Sequence, residues 1–159
     1  MTMELQIVRT RYPPEPCLEQ LATLLRIEVP DITLDDLKRR LELLPSDDRF
    51  FLALDGEFLI GYAQLGVTHD LENEDVVELV NIIVTVELRR QGVGRRLMTA
   101  AETWATQADR GTLVLRADVL RTEALAFFSS LGYVQSNTSQ EYVRDLDVAS
   151  RAEAPTQPQ

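Results

Sequence analysis

The chain has 159 residues, 45% apolar and 26% charged, which is the make-up of one folded domain with a core of its own. Its net charge of −10 and pI of about 4.6 repel nucleic acid and anionic lipid and attract a cationic partner. The single cysteine, Cys17, excludes an internal disulfide and sits in no metal-ligand spacing, so a reducing cytoplasmic setting and no metal are expected.

Residues 1–11 do not read as a secretory leader, because their apolar positions alternate and are broken by Glu4 and Arg9. The alternation over 4–9 predicts a first strand, and Tyr12-Pro13-Pro14-Glu15-Pro16 breaks it. Leu18, Leu21, Leu24 and Leu25 then recur at helical spacing over 17–27. A second helix over 33–44 carries Leu34, Leu37, Leu41 and Leu44 on one face, with Thr33 and Asp36 as its N-cap pair and Pro45 past its end. Strands at 50–54 and 58–67 flank the hairpin signal Asp55-Gly56-Glu57. An acidic loop over 69–75 leads into an apolar strand at 76–85. A helix at 92–108 (Val93, Leu97, Ala100, Ala101, Trp104) ends at Asp109-Arg110-Gly111. A strand at 113–119 and a helix at 122–131 follow, the helix closed by Gly132 at its C′ position. Residues 133–135 and 140–146 predict a final strand pair. From 147 apolar periodicity stops, so residues 1–146 are expected to form the domain and 147–159 a disordered tail. No apolar run approaches the ~20 residues of a membrane span.

The most informative stretch is 76–98, where a β-branched strand meets a short turn and a Gly-x-Gly that opens a helix. That places backbone N–H groups and several arginines around one point, an anion site. A Walker A loop needs Gly-Lys-Ser/Thr, but Gly94 is followed by Arg95-Arg96. A dinucleotide fingerprint needs a third glycine where Leu97 stands, and follows the first strand of a βαβ unit, whereas here the turn follows the fourth strand of the chain.

Arg89-Arg90-Gln91-Gly92-Val93-Gly94 resembles the Arg/Gln-x-x-Gly-x-Gly/Ala signature of the GCN5-related N-acetyltransferases (GNAT). Asn81-Ile82-Ile83-Val84 precedes it at the usual distance, and a second signature follows: a strand, then a helix ending in Leu131-Gly132-Tyr133. The resemblance extends from residue 3 to 146. It implies an α/β fold, a mixed, mostly antiparallel sheet of six to seven strands flanked by four helices. It implies acetyl-CoA as co-substrate, its pyrophosphate wrapped by the amides of Gln91, Gly92, Val93, Gly94 and Arg95, with Arg89, Arg90, Arg95 and Arg96 offering charge. It further implies that Ile82, Ile83 and Val84 pair with the pantetheine arm like an added strand, one of their amides stabilising the thioester oxyanion. Arg121 stands where an asparagine often contacts the cofactor arm, and Phe128 would pack near the sulfur.

The activity so implied is N-acetyl transfer from acetyl-CoA to a primary amine of a small molecule or peptide by direct attack in a ternary complex. Glu78 matches the general base of the histone-acetylating branch. The family's general-acid tyrosine is replaced by Phe128, so the proton for the thiolate falls to solvent, to the ammonium, or to Tyr133 or Tyr142. A thiol pKa near 8.5 makes an acid helpful rather than obligatory. Arg116 stands where the N-terminus-acetylating branch has a glutamate. The missing tyrosine leaves a second reading open, a non-catalytic acyl-CoA-binding or sensing module. His69 reads as a surface residue or a catalyst. The neighbouring Asp70, Glu72, Glu74 and Asp75 read as a solvated loop or a cationic acceptor site. Tyr12, Glu28 and Asp31 are possible acceptor contacts. No nucleic acid and no membrane is expected as partner. Family habit and an edge strand near the C-terminus point to a homodimer.

Overall fold

A computed structural model of the protein describes residues 3–72, 74–115, 122–136 and 141–146. In chain order the elements are β1 (Leu5–Thr10), α1 (Glu15–Leu25), α2 (Leu34–Glu42), β2 (Arg49–Asp55), β3 (Phe58–Thr68), β4 (Val76–Val84), a 3-10 turn (Val86–Leu88), α3 (Val93–Gln107), β5 (Leu113–Leu115) and α4 (Thr122–Ser130). The chain divides into two compact units, Met1–Leu120 and Arg121–Gln159.

Local chemistry sets most boundaries. α1 starts two residues before its leucine pattern because Pro16 lies in the first turn, where its missing N–H is no loss. The expected cap of α2 forms as a full capping box: Asp36 N–H donates to Thr33 Oγ1 at 3.0 Å, and Thr33 N–H donates to Asp36 Oδ2 at 3.1 Å. The β2–β3 hairpin turns at Gly56, whose φ of +61° suits a residue without a Cβ. α3 ends in a Schellman arrangement, with Arg110 N–H on the Ala105 carbonyl and Asp109 N–H on that of Thr106. The left-handed residue is Asp109, at φ +61°, rather than Gly111.

The sheet of the first unit runs β1-β2-β3-β4-β5, antiparallel except for the parallel β4–β5 pair. Alternate residues face opposite layers. Phe50, Leu52, Tyr62 and Ile83 join Leu18, Leu21, Leu37 and Leu41 in one buried cluster on the α1/α2 side. On the other side Phe51 meets Trp104 of α3 edge-on at 6.1 Å, as expected of a core tryptophan. Val93, Leu97, Met98, Ala101 and Ala105 form the buried stripe of α3.

Among the described residues the sheet has five strands, not the expected six to seven. Residues 133–136 and 141–146, within the expected final pair, carry no strand, and Val134, Tyr142 and Val143 are exposed. Alternation marks a segment that can lie half-buried, but only ladder bonds to a neighbour make it a strand. The expected strand over 113–119 is described as far as Leu115; residues 116–119 and the tail from 147 lie outside the described residues. In the second unit, α4 ends as its sequence predicts. Gly132, at φ +95°, donates to the Ser129 carbonyl and Tyr133 N–H to that of Phe128, a second Schellman cap.

Candidate active site

β4 carries the site, and one irregularity shapes it. Gln64 pairs with Asn81 but Leu65 pairs with Leu79, so Val80 is an extra residue bulged out of the ladder. Leu79 and Leu65 point to the α3 layer and are buried. Asn81, beyond the bulge, faces the α1/α2 side with Tyr62, and Val80 Cγ2 lies above Gly66 on that side. Recorded pairing of β4 with β5 covers Val77–Leu79, before the bulge.

The α1/α2 face of β3 and β4 is polar where the helices leave it. Asn81 Nδ2 donates to the Tyr62 hydroxyl at 2.8 Å and to Glu28 Oε2 at 3.4 Å. Glu28, in the loop after α1, thus reaches the Asn81 side chain. Burial pushes the Tyr62 phenol well above the usual tyrosine range, with Glu28 adding to the effect, so it stays protonated and serves as a hydrogen-bonding group rather than an acid. Gln64 Nε2 donates to Asp48 Oδ2 at 3.1 Å. Asp48 is only 6% exposed, and burial raises its carboxyl above the ordinary value while the Gln64 bond opposes this. A Cβ on Gly66 would come within 3.2 Å of Asp48 Oδ1, and Gly66 lies directly across from Glu78. Directly opposed residues have Cβ positions about 4.5–5.5 Å apart. Asp48 and Glu78 therefore occupy one small area of the face. Glu78, half-buried, accepts from Thr68 Oγ1 at 3.2 Å.

The other edge of β4 is set by the ladder. Thr85 N–H donates to the Ile60 carbonyl at 2.8 Å, and antiparallel pairs alternate between bonded and non-bonded. Ile82 and Val84 are the non-bonded partners of Ala63 and Gly61, so their N–H and C=O groups point away from β3. Ile83 points into the core cluster. Arg89 Nε donates to the Val84 carbonyl at 3.2 Å, so this arginine straps the strand end to the turn. Arg90 takes a left-handed φ of +66° and Gly92 one of +87°, which turns the chain into α3. The first intrahelical bond is Arg96 N–H to the Gly92 carbonyl, and no side chain caps the helix. The Val93, Gly94 and Arg95 amides therefore open an uncapped helix start, carrying a positive end charge of roughly half a unit. Val93 is buried and anchors the turn, whereas Arg90, Gln91, Gly92 and Arg95 are exposed around it. A Cβ on Gly92 meets nothing within 4 Å, so the space beside this turn is open. Arg96 is directed elsewhere, its Nη2 donating to the Leu5 carbonyl.

His69 bridges two loops. Its Nε2 lies 2.8 Å from Asp47 and its Nδ1 2.8 Å from Asp75, while Arg110 Nη2 lies 3.8 Å from Asp75. The two carboxylates raise the His69 pKa above 6.5, and His69 lowers that of Asp47. A raised histidine pKa adds stability that is full below the unfolded value and is lost as pH rises through the folded one. His69→Asn is therefore expected to lower the melting temperature at about pH 6 and to match the parent at about pH 9. A deficit that is equal at both pH values would show that the imidazolium is not the stabilising form.

In the second unit, the Phe128 ring packs edge-on against Tyr133 at 5.8 Å and Phe127 at 5.0 Å. The Leu-Gly-aromatic motif is thus the α4 cap with its usual apolar contact, C″ on C3. Arg121 and Arg116 lie outside the described residues. Tyr62, Gln64 and Asp48 were not legible as site residues. Asp48 belongs to the polar run Ser46-Asp47-Asp48-Arg49, which has the composition of a surface turn. Among the described residues no cluster of three or more His, Cys, Asp or Glu side chains could hold a metal, and no helix is long and apolar enough to cross a membrane.

The family model for the acetyltransferase (GNAT) family matches residues 15–133, the span that holds the bulged strand, the glycine turn and the α4 cap. The chain belongs to the GNAT acetyltransferase family. Solved GNAT acetyltransferases share its fold. The aminoglycoside N-acetyltransferase AAC(6')-Iy in complex with CoA aligns with a TM-score of 0.78 at 20% identity, covering 92% of this chain and 98% of that one. An aminoglycoside acetyltransferase from an uncultured soil metagenomic sample, in complex with sisomicin, aligns at 0.77 and 22%, covering 90% and 97%. The aminoglycoside 6'-N-acetyltransferase AAC(6')-Ih from Acinetobacter baumannii aligns at 0.74 and 20%, covering 89% and 99%. Comparison with curated proteins finds no match.

Proposed function

We propose that this GNAT protein transfers an acetyl group from acetyl-CoA to a primary amine of a cationic small molecule or peptide, by direct attack in a ternary complex. The observation that carries the reading is the continuity of two features. The outward amides of Ile82 and Val84 are followed along the chain, after the Val86–Leu88 turn, by the uncapped start of α3 at Gly92. Between them they offer donors for a thioester carbonyl, an extended arm and a pyrophosphate. The glycine turn fits that substrate because nothing crowds Gly92 and Arg90 and Arg95 stand exposed beside it.

In the reaction the amine lone pair attacks the thioester carbonyl, the oxyanion is held by a backbone N–H, its collapse expels the thiolate of CoA, and the proton shed by the acylated nitrogen passes to that thiolate or to solvent. The incoming ammonium must first lose a proton, and the proposal gives that step to Glu78, directly or through water. No tyrosine is assigned as acid. The Tyr62 hydroxyl is engaged with Asn81, and a thiolate leaves without an acid. The acidic face of Glu28, Asp48 and Glu78, within a chain of net charge −10, supports a cationic acceptor. The sisomicin complex of a similarly folded acetyltransferase supports the same class.

Calorimetric titration with acetyl-CoA, with NADH and ATP as controls, followed by thiol release over a panel of amines, tests the reading. Selective binding with release is expected. Binding without release over the whole panel would favour an acyl-CoA-binding module. No binding by folded protein would overturn the proposal.

A further inference from the structure

The Ile82 amide that points away from β3 is already occupied. Asn81 Oδ1 accepts its N–H at 2.9 Å, a bond from a side chain to the backbone of the very next residue. The same carboxamide reaches the other way through Nδ2, to Tyr62 and Glu28. It therefore joins the edge where the acyl donor would lie to the face where the acceptor would lie. It can do so because the bulge at Val80 sets Asn81 at the corner between them. The carboxamide presents to Ile82 the same group, an sp² carbonyl oxygen, that a thioester would present.

We propose that Asn81 is a reversible placeholder: it holds the Ile82 N–H in the free protein and yields it to the thioester carbonyl when acetyl-CoA binds. The inference rests on the acetyl-CoA reading above. An amide left bare at this half-buried position would carry a desolvation cost, which the placeholder removes. The placeholder also sets a competition. Any ligand carbonyl must displace Asn81, so part of the hydrogen bond it gains is offset by the one it breaks. CoA itself has a thiol at that position and no thioester oxygen to offer, so it does not need the Ile82 amide. Asn81 is thus a positioning residue whose effect falls on the acyl group and not on the nucleotide half.

The test is the ratio of CoA to acetyl-CoA dissociation constants, measured by calorimetry on the full chain. In Asn81→Ala the Ile82 N–H is open, and acetyl-CoA is expected to gain on CoA by roughly three- to tenfold, the range for one net hydrogen bond. Asn81→Asp keeps an oxygen for the Ile82 N–H but gives up the Nδ2 bonds to Tyr62 and Glu28 and sets a carboxylate beside Glu28, so its ratio is expected to lie between those of the parent and Asn81→Ala. A change in the nucleotide site or in stability shifts both ligands together and leaves the ratio unmoved. Ratios that are equal in the parent and both variants, with both ligands bound, would overturn the placeholder. Failure of the parent to bind either ligand would instead overturn the acetyl-CoA reading.

Discussion

Replacing Gly92 by glutamate is expected to abolish acetyl-CoA binding while leaving the protein folded. The backbone at Gly92 sits at φ +87°, which costs a residue with a side chain about 1–2 kcal/mol. A Cβ there meets nothing within 4 Å, so that conformational cost is the main penalty to folding. The carboxylate would project beside the Val93, Gly94 and Arg95 amides, where the pyrophosphate is proposed to lie. Two like charges about 4 Å apart repel by about 4 kcal/mol at the effective dielectric of a protein surface, close to a thousandfold in affinity. Gly92→Ala separates the contributions, because it carries the backbone cost without the charge and should weaken binding far less. Calorimetry beside a thermal melt reads both. A folded Gly92→Glu protein that binds acetyl-CoA within a few-fold of the parent would remove the glycine turn from the site.

The second large effect is on turnover. Glu78→Gln keeps a carbonyl oxygen to accept the Thr68 hydroxyl, so the sheet geometry should survive. It removes the group that would take the proton from an ammonium. General-base catalysis contributes roughly 10²–10⁴-fold, and kcat is expected to fall by that order near neutral pH with acetyl-CoA affinity little changed. The loss should shrink as pH rises toward the pKa of the acceptor amine, because the free amine needs no base. The deficit is therefore concentrated at low pH. A pH–rate profile parallel to that of the parent would leave Glu78 a structural residue. Asp48, on the same patch of face, would then be the next carboxylate to replace.

Much of the fold was legible because its signals are local. Thr33 with Asp36, Gly56, Gly92 and Gly132 each act through hydrogen bonds or backbone angles within five residues, and each does in the structure what its position implies. The leucine stripes of α1 and α2 and the Val93–Ala105 stripe of α3 follow from helical period alone. The expected final strand pair is an element whose existence depends on a distant partner, and it is not formed among the described residues.

The sequence by itself determined the family, from two short motifs about forty residues apart, and the glycine turn at the start of α3 with the strand before it, since each motif acts through short-range chemistry. Only the tertiary structure decided what surrounds that segment. One residue of bulge at Val80 shifts the register, and with a side-chain period of two that sets which residues share a face. Asp48 became a buried carboxylate only when Gly66 left room for it. Asn81 became a bridge between Ile82, Tyr62 and Glu28 only when α1 and β3 came alongside β4. These relations join residues up to 53 positions apart, and no pattern along the chain encodes them.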